Sequence, residues 1–212
     1  MDSITHPLTG LMISRAGLGR LSPGATAIVL LAANAPDVDV VTAMAGSIEY
    51  LRYHRGITHS LVAIPVLAFL PVLLVRLLGR KPVAWKGAYA ASVIGVASHI
   101  LLDWTNMYGV RLLLPFSGRW FNADIFAVVD LWLWAAVLLA VAAPLISRLV
   151  SAEIGARAGG GFGMAVFFLL FFAALGLGRY LSHERAVAVL ESRLYGNEAP
   201  LRVAAIPTPA NP

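Results

Sequence analysis

The chain has 212 residues, of which 59% are hydrophobic and only 13% charged. With a mean hydropathy of +0.79, that balance excludes an ordinary soluble domain and identifies a membrane protein. The net charge of +5 comes from cations scattered through loops rather than massed on one face, which argues against a nucleic-acid partner. There is no cysteine, so disulfides and thiolate metal sites are excluded, and any metal must be held by His and carboxylate.

The N-terminus carries no basic n-region followed by a small-residue cleavage site, so a removed signal peptide is not expected. The first apolar stretch, residues 8–36, is broken in its middle by Arg15, Gly17, Gly19, Arg20 and Pro23. Each half, at roughly 13 residues, is too short to span a bilayer. The stretch therefore reads as a re-entrant helical hairpin whose irregular turn is covered by other helices or a wet cavity. A single tilted helix broken at Pro23 is the alternative.

Four later segments, 60–78, 87–104, 125–147 and 162–181, each approach the roughly 20 residues that a spanning helix needs. The expected fold class is all-α: a polytopic membrane helical bundle of about four full transmembrane helices plus an N-terminal re-entrant or broken helical hairpin. Residues 1–181 form one membrane-embedded domain, and 182–212 follow as a short amphipathic helix, over 182–194, and a Pro-containing disordered tail.

Arg76, Arg80, Lys81 and Lys86 lie between the first two full spans, and Arg148 and Arg157 between the last two. The positive-inside rule places both loops in the cytoplasm. Residues 37–59, the 104–124 loop and everything after 181 then lie on the opposite side. Trp104, Tyr108, Trp120, Trp132 and Trp134 read as an aromatic belt at the lipid interface, with direct substrate contact as the lesser alternative.

On that non-cytoplasmic side the ionisable groups gather: His6, His54, His59 and His99, with Asp37, Asp39, Asp103, Asp124 and Asp130. A charged group at the centre of a membrane helix costs roughly 2.5–3.5 kcal/mol on insertion scales, so such a gathering is functional by default. In SHILLD, His99 and Asp103 stand at i and i+4 and share one helix face, a spacing that suits one metal ion or a hydrogen bond between helices. In APDVD, Pro36 disfavours helix at the residue before it and leaves Asp37 and Asp39 in a turn, where a cation would relieve their repulsion. An Asx turn or helix cap is the plainer account.

In YHRGITHS, His54 and His59 flank Gly56, which lets the backbone bring both imidazoles toward one centre. Arg55 between them binds either a phosphate-like anion or a lipid headgroup, and Thr58 or Ser60 caps the helix that follows. His6 joins this face only if the hairpin forms. Asp124 and Asp130 orient ligating histidines or pair with Arg111 or Arg119. His183 has no carboxylate at helical spacing apart from its neighbour Glu184 and is left out. The His and Asp mix suits zinc, as one or two ions, with manganese or iron as alternatives.

The N-terminal THPLTG, the PDVD turn, HRGITHS and the stretch HILLDWTNMYGVRLLLPFSGRWFNADIFAVVDLWLW, together covering most of residues 1–150, resemble a family of bacterial inner-membrane proteins described as metal-dependent hydrolases, some of them LexA-regulated. The resemblance implies a helical inner-membrane protein with a His/Asp metal site, distantly similar to that of zinc phospholipase C and related nucleases. Carried over residue by residue, the metal positions are His6, Asp37, Asp39, His54, His59, His99 and Asp103.

The leading expectation is hydrolysis of an ester, a phosphoester of a lipid or lipid-linked molecule, at the periplasmic membrane face. Asp37 or Asp39 serves as bridging ligand or general base, and Arg55, with Arg111 or Arg119, neutralises the transferring or leaving group. The partners expected are membrane lipids and that substrate. A non-catalytic protein stabilised by its metal, in stress response or envelope maintenance, is the second reading, and a proton or cation transporter the third.

Overall fold

The computed structural model describes residues 1–79, 82–155, 161–196 and 198–210. Arg80, Lys81 and Arg157, three of the cations that set the expected orientation, lie outside the described residues. Among the described residues the chain is helical throughout, with no strand: α1 (Thr5–Arg15), α2 (Ala25–Ala32), α3 (Ser47–Tyr53), α4 (Ile64–Leu78), α5 (Trp85–Trp104), α6 (Leu131–Glu153) and α7 (Phe162–Glu191), joined by short 3-10 segments and loops.

Leu61–Leu78, α6 and α7 are long and apolar enough to cross a membrane, and α2 with the 3-10 segment Ala35–Ala45 is a further candidate, bent by 43°. At 20 residues, or about 30 Å, α5 has the length but a more polar sequence. It is the helix that α1, α2 and α4 pack around, and its buried face carries Ser92, His99 and Asp103. Polar groups at membrane depth face the bundle interior, which explains why the inner helix is the one that tolerates them.

The N-terminal hairpin forms. After α1 the backbone turns through Gly17, at φ 143°, and Gly24, at φ 78°, and α2 returns along α1. Its tip, where Arg20, Leu21, Pro23 and Gly24 are exposed, meets the start of α7, the Arg20 guanidinium lying 5.8 Å from the Phe162 ring centre. Two glycines set how closely the helices approach. A Cβ on Gly10 of α1 would stand 3.0 Å from the Ala33 Cβ, and one on Gly95 of α5 only 2.7 Å from the Ala32 Cβ. Small residues permit such approach, and it holds the end of α2 between α1 and α5. His6 and His99 lie four residues from these glycines, on the same helix faces.

The third of the expected later spans starts at Leu131 rather than 125. Asp130 is the reason: its Oδ1 accepts from the Trp132 and Leu133 amides at 3.1 and 3.2 Å and so fixes the first turn of α6. The other oxygen pairs with Arg179 of α7, rather than with Arg111 or Arg119. The last helix runs unbroken to Glu191 and takes residues 182–191 as its final turns, because no Gly or Pro falls between Gly178 and Gly196. Residues 198–210 run back toward α6, where the Pro209 carbonyl accepts from the Leu131 amide at 3.1 Å.

Gly95→Val forces α5 away from α2 and lowers stability by about 1–3 kcal/mol, read as a lower thermal midpoint in detergent. Gly178→Ala, where an added Cβ meets nothing within 4 Å, leaves the midpoint unchanged or raises it.

Candidate metal centre

Three segments converge on one point. The 3-10 segment Ala35–Ala45 brings Asp37, the 3-10 turn Ile57–His59 before α4 brings His59, and α5 brings both His99 and Asp103. Asp37 Oδ1, His59 Nε2, His99 Nε2 and Asp103 Oδ2 lie close enough together to hold a metal ion. The two Nε2 atoms are 3.1 Å apart. Asp103 Oδ2 stands 3.4 and 3.7 Å from them, and Asp37 Oδ1 3.7 and 3.5 Å. A tetrahedral ion with ligands at about 2.0–2.1 Å spaces its donors by about 3.3–3.4 Å, so the residues present fit such an ion.

Their orientation is set from outside the centre. His99 Nδ1 is 2.7 Å from the Ala33 carbonyl; a carbonyl only accepts, so Nδ1 carries the proton and the Nε2 lone pair faces inward. His59 Nδ1 faces Thr58 Oγ1 at 3.0 Å and Asp39 Oδ2 at 3.5 Å. Burial alone would lower the His59 pKa, but the carboxylates of Asp103, Asp37 and Asp39 outweigh it and push it up to about 10.

Asp39 stands apart from this centre. A 3-10 helix turns 120° per residue, so residues two apart diverge, and Asp37 and Asp39 reach different protein partners. Asp39 Oδ2 accepts from the Arg55 amide and from Thr58 Oγ1, both at 2.9 Å, while Oδ1 is 2.9 Å from His54 Nδ1. Asp37, Asp39 and His54 still form a second, overlapping group of potential ligands. Thr58 is therefore spent on Asp39, and Ser60 donates to the Ile57 carbonyl at 2.7 Å; neither hydroxyl caps α4.

Arg55 is buried and takes a left-handed backbone, φ 56°, which is strained for a non-glycine residue. Its guanidinium is committed to the protein, donating to Asp103 Oδ1 at 3.1 Å and Asn106 Oδ1 at 3.0 Å. Gly56 has φ −89° and is needed for space instead: a Cβ there would stand 2.6 Å from the Tyr53 carbonyl oxygen. The first-turn residue His6 is buried and stacks on the His99 ring with centres 3.7 Å apart; its Nε2 is 3.4 Å from Asp103 Oδ1. It touches the cluster from the side of Asp103 rather than joining the four converging donors. The Met1 amino group also contacts Asp103 Oδ1.

All seven expected metal residues are thus gathered in one place, while Asp124 and Asp130 are not. Asp124 accepts from Asn122 at 2.8 Å, and Asp130 serves α6 and Arg179. Arg111 donates to the Arg52 carbonyl at 2.7 Å and lies over the Trp120 ring. His183 is 3.1 Å from the Ala205 carbonyl, in the C-terminal region. Sequence reasoning missed Asn106, which is fully buried, donates to Asp103 Oδ1 at 3.2 Å and accepts from Arg55 and from the amides of Tyr108 and Gly109. Its only signal was a polar residue one turn beyond Asp103.

A cleft of about 890 Å3 opens onto the cluster, lined by Asp37, His54 and Arg55 together with Met1, Asp2, Ser3, Asn34, Val40, Tyr50, Leu51, Tyr108, Trp120 and Val128. Asp37 is 26% exposed, whereas the side chains of His59, His99 and Asp103 are exposed by 0–1%. The ion position is therefore approached past Asp37.

The family model described as YdjM inner membrane protein matches residues 1–185. Among curated proteins the chain is similar to the uncharacterized protein YfhP of Bacillus subtilis (strain 168), at 29% identity over 154 residues, which is 67% of this chain and 46% of the relative. The chain therefore spans about half the length of that relative. No solved structure matches. With the family match running from the first residue through every ligand of the cluster and into α7, the chain belongs to the YdjM inner membrane protein family.

Proposed function

We propose that this protein is a membrane-embedded, metal-dependent hydrolase that cleaves an ester, a phosphoester of a lipid or lipid-linked molecule, at the periplasmic face of the inner membrane. Two imidazole nitrogens and two carboxylate oxygens at tetrahedral spacing support the metal; the observation that carries the catalytic reading is that Asp37, alone of the four, is exposed to the cleft, where a water can take its place. Two nitrogen and two oxygen donors suit zinc, and manganese or iron would accept the same set. A zinc-type ion held there supplies Lewis acidity, polarising a phosphoryl or acyl oxygen and making a water more acidic.

The protein's own groups complete the chemistry. His54 lines the cleft, with Nδ1 tied to Asp39 Oδ1 at 2.9 Å and its ring stacked on Tyr50 at 4.6 Å. Its Nε2 is then the nitrogen available to a substrate. We assign it to proton transfer rather than ligation: as water attacks and the ester bond to the leaving oxygen breaks, Nε2 gives that oxygen a proton and regains one from the attacking water. Asp39 holds the ring in place. Arg55, which donates to Asp103, Asn106 and the Gly109 carbonyl, positions Asp103.

The orientation rests on charge. Arg15 and Arg20 at the hairpin tip, Arg76 near the end of α4, Lys86 at the start of α5 and Arg148 late in α6 all lie toward the end of the bundle away from the cluster. By the positive-inside rule these charges support a cluster on the periplasmic side.

In protein purified in detergent, mass spectrometry should find near-stoichiometric zinc or manganese in wild type, lost in His99→Ala and in Asp103→Asn and retained in His183→Ala. Folded wild type that takes up no ion after resupply would overturn the reading. His54→Ala should keep its metal but lose about 10²–10⁴-fold in kcat on a bilayer phosphoester. The loss should be smallest for a nitrophenyl leaving group, which departs without a proton; loss of metal in this variant would make His54 a ligand instead.

A further inference from the structure

The 3-10 segment Ala35–Ala45 that presents Asp37 has a second face. With three residues per turn, Asn34, Asp37 and Val40 recur on one side and line the cleft, while Ala35 and Val38, one position along, line a separate groove on the outside of the bundle. The same short wall divides the two. The groove encloses about 370 Å3, with Leu31 and Val38 on one side and Leu70, Leu74 and Leu77 of α4 on the other. Every residue lining it is apolar. Small Ala35 and buried Pro71 stand among these taller side chains and leave it recessed.

The position says what fills it. On α4 the groove runs from Leu70 to Leu77, about 10 Å of helix axis, in the half of the Leu61–Leu78 span that ends near Arg76. It lies on Leu61–Leu78, which is apolar enough to cross a membrane and has only 22% of its length buried inside the protein, so the groove opens into hydrocarbon rather than water. At its other end Ala35 and Val38 bracket Asp37. We propose that the groove holds one acyl chain of a membrane lipid whose headgroup reaches over the Ala35–Val38 wall to Asp37 and His54, so that the substrate enters sideways from the leaflet; the headgroup's fate rests on the hydrolase reading, the chain site does not.

The test uses the full chain in nanodiscs of phosphatidylethanolamine and phosphatidylglycerol doped with a phospholipid carrying a diazirine on one acyl chain. After irradiation, crosslinked residues are mapped by mass spectrometry, with bilayer hydrolysis scored in the same discs. Crosslinks should concentrate on Val38, Leu70 and Leu74 over Leu139 and Leu170, which are comparably exposed on α6 and α7. Ala35→Phe or, should that variant lose its metal or fold, Leu74→Trp should fill the groove and cut crosslinking there by about tenfold. Equal labelling of groove and control residues, or labelling unmoved by a folded groove-filling variant, would overturn the chain site. Groove-selective labelling without hydrolysis sinks the hydrolase reading alone; hydrolysis without selective labelling sinks the groove alone.

Discussion

Placing the Asp103 carboxylate where almost no solvent reaches it, inside an apolar bundle, carries a desolvation penalty of several kcal/mol that only convergent donors and cations can offset. Those partners come from distant parts of the chain. Arg55 and His59 approach from the α3–α4 connection, Asn106 from just beyond the end of α5, and His6 from the start of α1. Apart from that of Asn106, three residues from Asp103, each contact closes a loop of tens of residues, so satisfying one carboxylate fixes how α1, α4 and α5 meet. Removing a partner would leave the charge buried and uncompensated, which is costlier than losing an ordinary hydrogen bond.

The backbone meets this demand through close approach rather than bulk. Gly10 and Gly95 let α1 and α5 press against the last turn of α2, and that contact brings the Ala33 carbonyl to within 2.7 Å of His99 Nδ1. Helix ends leave carbonyls without intrahelical partners, and here one of them fixes the tautomer of a ligand. Packing and ligand orientation are thus one event, and the short α2 exists to deliver a carbonyl and then, after Asn34, the Asp37 carboxylate.

Much of this was legible in the sequence, and the rest was not for physical reasons. The broken 8–36 stretch gave away the hairpin, because neither half can span, and His99 with Asp103 declared themselves by helical spacing. HRGITHS identified its residues but not their work. Gly56 suggested conformational freedom, yet the left-handed residue is Arg55 and the glycine supplies space. Asp37 and Asp39 looked like one pair because a turn was expected, whereas a long 3-10 helix sends them to separate partners. Asn106 and the Asp130–Arg179 pair depend on contacts that no local pattern encodes, the latter across 49 positions.

Exposure within the cluster is graded, and the grading bears on what the centre is for. A site that only ties helices together gains by closing on every side, as structural zinc sites do with four protein ligands. Here three of the four converging groups are sealed, while Asp37 lines the cleft with His54. A partly exposed carboxylate can yield its position more readily than a buried imidazole locked by a carbonyl. The cleft lining repeats the point, since Tyr50, Tyr108 and Trp120 add flat, amphipathic surface of the kind found at the bilayer interface. Sealed ligands, one accessible carboxylate and an apolar approach from the membrane suit a centre built to meet a molecule arriving from the lipid, not merely to hold itself shut.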